Sequence, residues 1–182
     1  NEVIELYCEP TGKFPHNPEP LPEHLKDLSE AVLSNNAHLG ITVDPDVDRL
    51  VFVDEKGKLF GEEYTLVACA DFILSKTPGA IVSNLSSTRA LADLTKSYGG
   101  NYSASPVGEV NVVAEMKAVQ AVIGGEGNGG VIYPELHYGR DALVGVALFL
   151  SLLVDRNQTA AQIRATYPSY FMSKNKITLK TE

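Results

Sequence analysis

ITVDPDVDRLVFVD, residues 41–54, decides how this chain folds. Two apolar runs rich in valine flank a short polar loop, and that loop carries Asp44, Asp46 and Asp48. β-Branched and aromatic residues in runs this short read as buried strands. Three carboxylates so close repel, because each charge disfavours ionisation of the next. A cation held among them removes that cost, so two strands joined by an acidic loop predict a metal site at the end of a strand.

The loop's own residues sharpen the expectation. Pro45 biases Asp44 toward extended backbone, and residues two apart in an extended chain project to one side, so the three acids are expected to converge. Hard divalent cations take oxygen ligands, and Mg²⁺ keeps room for water or a phosphate oxygen. Arg49 follows directly, with a planar fork suited to a phosphate on the same metal. A solvated acidic turn explains the flanking strands poorly. A calcium loop of EF-hand type finds Glu55 at its twelfth position, but Arg49 stands where it needs glycine, and strands replace its helices. ITVDPDV also resembles the Asp-x-Asp strand end of haloacid-dehalogenase phosphatases, a reading that leaves Asp48 and Arg49 unused.

Working outward, residues 21–34 have helical periodicity, with Leu21, Leu25, Leu28 and Val32 on one face and Pro22 in the first turn. The chain before them opens on an alternating, strand-like segment and then a loop rich in proline and asparagine. With no initiator methionine, the chain reads as a fragment. After EKGK, a turn, a helix is expected over 62–74, ending at the breaker TPG. Beyond it strands AIVSNL, NYSASPV and AVIGG alternate with helices STRALADLTKSYG and GEVNVVAEMKAVQ. A long helix over 141–154, a short one over 159–166 and a final strand NKITLK complete the pattern. The fold class is therefore α/β: two successive three-layer α/β/α domains with mostly parallel mixed sheets, the first incomplete, covering 1–75 and 76–182. Ligands on such sheets gather at the carboxyl ends of strands.

A second unusual loop lies at such an end. In residues 124–130, GGEGNGG, five of seven are glycine, so the backbone can approach a ligand closely. Glu126 and Asn128 offer one acceptor and one mixed donor and acceptor, as paired sugar hydroxyls require. The alternative is a plain glycine turn. The spacing does not open into a helix as a dinucleotide site would.

The net charge of −8 argues against a nucleic acid or an anionic membrane as partner, since both select basic faces. Apolar residues at 44% and charged residues at 21% describe an ordinary globular balance, and ALVGVALFLSLLV is too short to span a bilayer. Cys8 and Cys69 lack metal or redox spacing, so free thiols in a cytoplasmic protein are expected.

DPDVDR, then SPVGE, then GGEGNGG, with GKFPHNPEP ahead of them, resembles the α-D-phosphohexomutase family, the phosphoglucomutases and phosphomannomutases. The resemblance covers essentially the whole chain and implies part of domain 2 followed by domain 3 of a four-domain enzyme. Domain 1, with the phosphoserine, and domain 4, with a phosphate-binding loop, would be its partners. Asp44, Asp46 and Asp48 match the Mg²⁺ ligands, Arg49 the catalytic arginine beside the phosphate, and Glu126 the glutamate that holds two sugar hydroxyls. Asn128 stands where many members have serine, while Gly130 and Glu109 stand where many or several have histidine. The implied reaction interconverts hexose 1-phosphate and hexose 6-phosphate, of glucose or mannose, with glucosamine as the alternative. It runs through hexose 1,6-bisphosphate as intermediate and activator.

Gly108, at a strand end, is a candidate N–H donor to the phosphosugar. His137, Arg140 and Asp141 in HYGRD read as a structural group around a helix cap, and Ser86, Ser87 and Thr88 as caps.

Overall fold

The computed structural model describes residues 2–172. Strand β2 (Leu50–Val53), the apolar run after the acidic loop, is buried at every position and pairs antiparallel with β1 (Gly40–Val43). Val43 lies opposite Leu50, so the acidic loop closes a β-hairpin. Helix α1 (Lys26–Ser34) covers this hairpin through buried Val32. It starts later than periodicity suggested, because Pro22–His24 winds as a 3₁₀ turn first. The expected strand at the amino end is not formed: among the described residues, 3–8 join no strand ladder, and Val3 and Ile4 are exposed. Apolar alternation alone does not hold a strand without a partner edge. NKITLK lies outside the described residues.

The remaining elements build a mixed sheet in the order β4 (Tyr102–Ser105), β3 (Ile81–Asn84), β5 (Ile123–Glu126), β6 (Gly130–Ile132). The first three are parallel and β6 is antiparallel to β5. Successive strand residues face opposite ways. Val82 accordingly packs with Val112 and Met116 of α4 (Glu109–Val119), whereas Ile81 and Ile123 join the larger core formed with α2 (Glu62–Lys76). The result is three layers, and the expected α/β class is present.

Helix α2 is buried almost all round, as its nearly continuous apolar sequence requires. It packs on α5 (Ala142–Arg156), on α3 (Arg89–Ser97) and on β5. Phe149 of α5 stacks on Phe52 of β2 at a centroid separation of 3.9 Å, with Phe60 edge-on to Phe149 at 5.0 Å. The hairpin and the larger sheet thus share one core. Helix α5 buries Ala142, Gly145, Leu148, Phe149 and Leu152, but Leu143, Leu150 and Val154 face outward, so it is a core helix on one side only.

A polar junction lies inside the helical layer. Asp71 of α2 accepts hydrogen bonds from Tyr98 Oη (2.6 Å), Tyr167 Oη (2.9 Å) and Arg156 Nη2 (3.0 Å). These groups come from the ends of α3, of α6 (Ala160–Thr166) and of α5. Burial, then the Asp71 charge, raises the Tyr167 hydroxyl, so it stays a donor. Both cysteines are free, and burial pushes the Cys69 thiol up to about 12.

Candidate functional site

The hairpin places Asp44 at the exit of β1 and Asp48 two residues before β2. One ligand oxygen from each of Asp44, Asp46 and Asp48 lies within 4.8 Å of the others. They converge by a different route from the extended alternation expected. The loop turns, with Val47 N–H donating to the Asp44 carbonyl (3.1 Å) and Val47 at φ +61°. A β-branched residue there is strained and persists only where its surroundings fix it. Here the Val47 carbonyl accepts from Ala142 N at the start of α5 (3.1 Å), pinning the loop to that helix.

Within the loop Asp44 is buried, and its Oδ1 accepts from the backbone N–H groups of Asp48 and Arg49, both at 3.0 Å. Burial works to raise its carboxyl, but those bonds outweigh it and hold the group below the usual range. Asp48 goes the other way. Burial, with the Asp44 and Asp46 charges and against the pull of Arg140, pushes it up to about 6. Asp48 Oδ1 is buried with no hydrogen-bond partner, and so is Arg49 Nε 3.9 Å away. An orphaned carboxylate oxygen in a converging acid cluster is satisfied by a divalent cation, so the residues present fit Mg²⁺. Arg49, read as the phosphate partner, pairs through Nη1 with Glu19 of the proline-rich loop.

Below its raised range Asp48 holds a proton that an incoming cation must displace. Mn²⁺ affinity is therefore expected to be constant between pH 7 and 8. It should weaken below pH 6 by about tenfold per unit, as one proton competes for the site. Calorimetry across that range checks this.

The parallel strands bring the second half of the site to one edge. Asn84, Ser105 and Glu126 end β3, β4 and β5. Glu126 does not project from a flexible loop: it is the last residue of β5 and is buried, because residues 124–132 form a tight β-hairpin. Its carboxylate accepts from Asn84 Nδ2 (2.7 Å), Gly108 N (3.3 Å) and Arg140 Nη1 (3.0 Å). The Gly108 N–H, expected to face a phosphosugar, is directed at Glu126 instead. Asn128 Oδ1 accepts from Gly130 N (3.2 Å), which leaves its amide nitrogen for a ligand.

Glycine is required here for the protein's own packing. Gly129 has φ +92°, and a Cβ on it would run into the Leu50 backbone, whose N–H donates to the Gly129 carbonyl (3.1 Å). That contact welds the sugar-type turn to the strand leaving the acidic loop. Gly129→Ala is expected to destabilise the chain by about 2 kcal/mol, from strained φ and lost contact, measurable by urea titration.

Two residues at the site were not recognised in the sequence. Arg140 is one: its side chain pairs with Asp48, with Glu109 (3.1 Å) and with Glu126 (3.0 Å), whereas its neighbours His137 and Asp141 do form the expected cap. Asn84 is the other; its Oδ1 accepts from Ser86 N and Ser87 Oγ. No local signal in the sequence marked Arg140, because its partners Asp48, Glu109 and Glu126 lie in three separate segments. Thr88 caps α3, accepting from Ala90 N as expected.

Among the described residues no helix is long and apolar enough to cross a membrane. Residues 61–170 match the family described as phosphoglucomutase/phosphomannomutase, alpha/beta/alpha domain III, and residues 1–57 match domain II of the same family. A relative in Methanopyrus kandleri named "Probable phosphoglucosamine mutase" is 37% identical, the match covering 93% of this chain and 38% of the relative. The phosphoglucomutase/phosphomannomutase of Thermococcus kodakarensis is 32% identical over 96% of this chain and 39% of the relative. The chain thus spans under two-fifths of the length of these curated relatives. A crystal structure of a phosphoglucomutase/phosphomannomutase family protein from Burkholderia thailandensis superposes with a TM-score of 0.74 at 28% identity, over 85% of this chain and 34% of that one. An acidic loop closing a β-hairpin, a buried glutamate facing it across one guanidinium, and matches to two consecutive domains in the right order converge: the chain belongs to the α-D-phosphohexomutase family of phosphoglucomutases and phosphomannomutases.

Proposed function

We propose that this chain is the metal-binding and sugar-binding part of a Mg²⁺-dependent mutase. The full-length protein interconverts hexose 1-phosphate and hexose 6-phosphate through an enzyme phosphoserine and hexose 1,6-bisphosphate. The observation that carries the proposal is the convergence of Asp44, Asp46 and Asp48 beside an orphaned, buried Asp48 oxygen.

Asp44, Asp46 and Asp48 would hold Mg²⁺, with the phosphoserine of another domain as the remaining partner. When bound, the ion neutralises charge on the transferring phosphoryl group. Arg49 leaves Glu19 to present its fork to the phosphate. Glu126 accepts three hydrogen bonds from the protein, and a carboxylate has about four acceptor sites, so capacity remains for a sugar hydroxyl. Asn128 adds a donor from the same turn. Contacts of this kind suit a sugar that must bind in two flipped poses, since hydroxyls are present in both.

The phosphatase alternative leaves Asp48 unused, although Asp48 closes the acid cluster, and the matched family models are mutase domains. A glucosamine phosphate is the second reading for the substrate, supported by the name of the Methanopyrus kandleri relative. The test is a ³¹P NMR assay of the full-length protein with Mg²⁺ and hexose 1,6-bisphosphate, offering the 1-phosphates of glucose, mannose and glucosamine in turn. Formation of a 6-phosphate is expected, and the ranking names the sugar. Release of inorganic phosphate alone would overturn the mutase reading.

A further inference from the structure

Arg140 spends each guanidinium nitrogen on a different carboxylate. Nη2 pairs with Asp48 of the acidic loop, Nε with Glu109 at the start of α4 (3.1 Å), and Nη1 with Glu126 at the end of β5 (3.0 Å). Its own backbone N–H donates back to Glu109 Oε1 (3.2 Å). The side chain is only 15% exposed, so its charge is shared with these acids rather than with solvent. Its path is open because residue 130 is glycine: a Cβ there would meet Arg140 Cδ at 2.5 Å. The Asp48 contact uses Oδ2, and Oδ1 is the oxygen left buried without a hydrogen-bond partner.

We propose that Arg140 is a positioning residue that couples the acidic loop to Glu126. This rests on the metal and sugar roles given above. By holding Oδ2 of Asp48, Arg140 leaves Oδ1 for the cation, as outer partners of metal ligands do. By holding Glu126 with the same rigid fork, it fixes the carboxylate that meets the sugar. Loading one half of the site therefore sets the other, and by linkage the reverse. An ammonium group cannot reproduce this, because a single point charge cannot span three carboxylates in fixed directions.

The test is a double-mutant cycle on Mn²⁺ affinity in the full-length protein, across Arg140→Lys and Glu126→Gln. Lysine keeps the compensating charge for the buried acids, which protects folding and separates fork geometry from net charge. Arg140→Lys is expected to weaken Mn²⁺ by about tenfold, the usual scale for a lost outer partner. Glu126→Gln should weaken it about threefold in the parent but much less in the lysine background, so the two effects are not additive. Additive effects, or wild-type Mn²⁺ affinity in Arg140→Lys, would overturn the coupling. Wild-type protein that binds Mn²⁺ but converts no hexose phosphate refutes the mutase reading, while the cycle still decides the coupling.

Discussion

Asp46→Asn in the full-length protein is expected to lower turnover by about a thousandfold with little change in stability. Asp46 is the exposed member of the acid cluster, at the tip of the loop, so its loss removes a proposed metal ligand without opening the core. A bound cation supplies several kcal/mol of charge stabilisation to a phosphoryl transfer, and about 4 kcal/mol corresponds to that factor. The Mg²⁺ concentration for half-maximal rate should rise in parallel. A variant with unchanged Mg²⁺ dependence would remove Asp46 from the metal site.

The largest stability effect is expected at a residue remote from the chemistry. Asp71→Ala leaves Tyr98, Tyr167 and Arg156 facing a buried void without their common acceptor. Arg156 is 39% exposed and stays solvated, so the cost is mainly that of two tyrosine hydroxyls losing their acceptor and a screened ion pair, about 3 kcal/mol. For a chain of this size that is roughly 10 °C in melting temperature. Tyr167→Phe, which removes one hydrogen bond and no charge, should cost about 1 kcal/mol. The chain has no tryptophan, so circular dichroism is the convenient readout. Equal losses in the two variants would contradict the view that Asp71 is the hub.

The sequence revealed local order better than distant pairing. Most strands and helices from β1 to α6 were legible because valine-rich runs, glycine stops and caps such as Thr88, Asp141 and Thr159 act within a few residues, but β6 was read as part of the glycine loop. Convergence of the three aspartates was legible too, but not its mechanism, since the positive φ of Val47 depends on a hydrogen bond to α5 nearly a hundred residues on. Arg140 was discounted for the same reason. Its neighbours His137 and Asp141 satisfy a local capping pattern, while its own partners Asp48, Glu109 and Glu126 come from three separate segments. The glycine turn was read as room for a ligand. At Gly129 that room is filled by Leu50, a contact visible only once β2 and the turn are brought together.

These contacts have a common consequence for function. The acidic loop is bonded to α5 through Val47, to the glycine turn through Leu50, and to Glu126 through Arg140. Under the proposed function, the metal and sugar residues are thus tied to one another across both family domains, as positioning-dominated phosphoryl transfer requires.

The most direct test of the account is an anomalous-scattering map from crystals of the full-length protein grown with Mn²⁺. A single strong peak touching one oxygen each of Asp44, Asp46 and Asp48, with Arg140 still on Oδ2 of Asp48, is the predicted result. No peak in that loop from crystals of a preparation that Mn²⁺ activates, or a peak held by other residues, would contradict it.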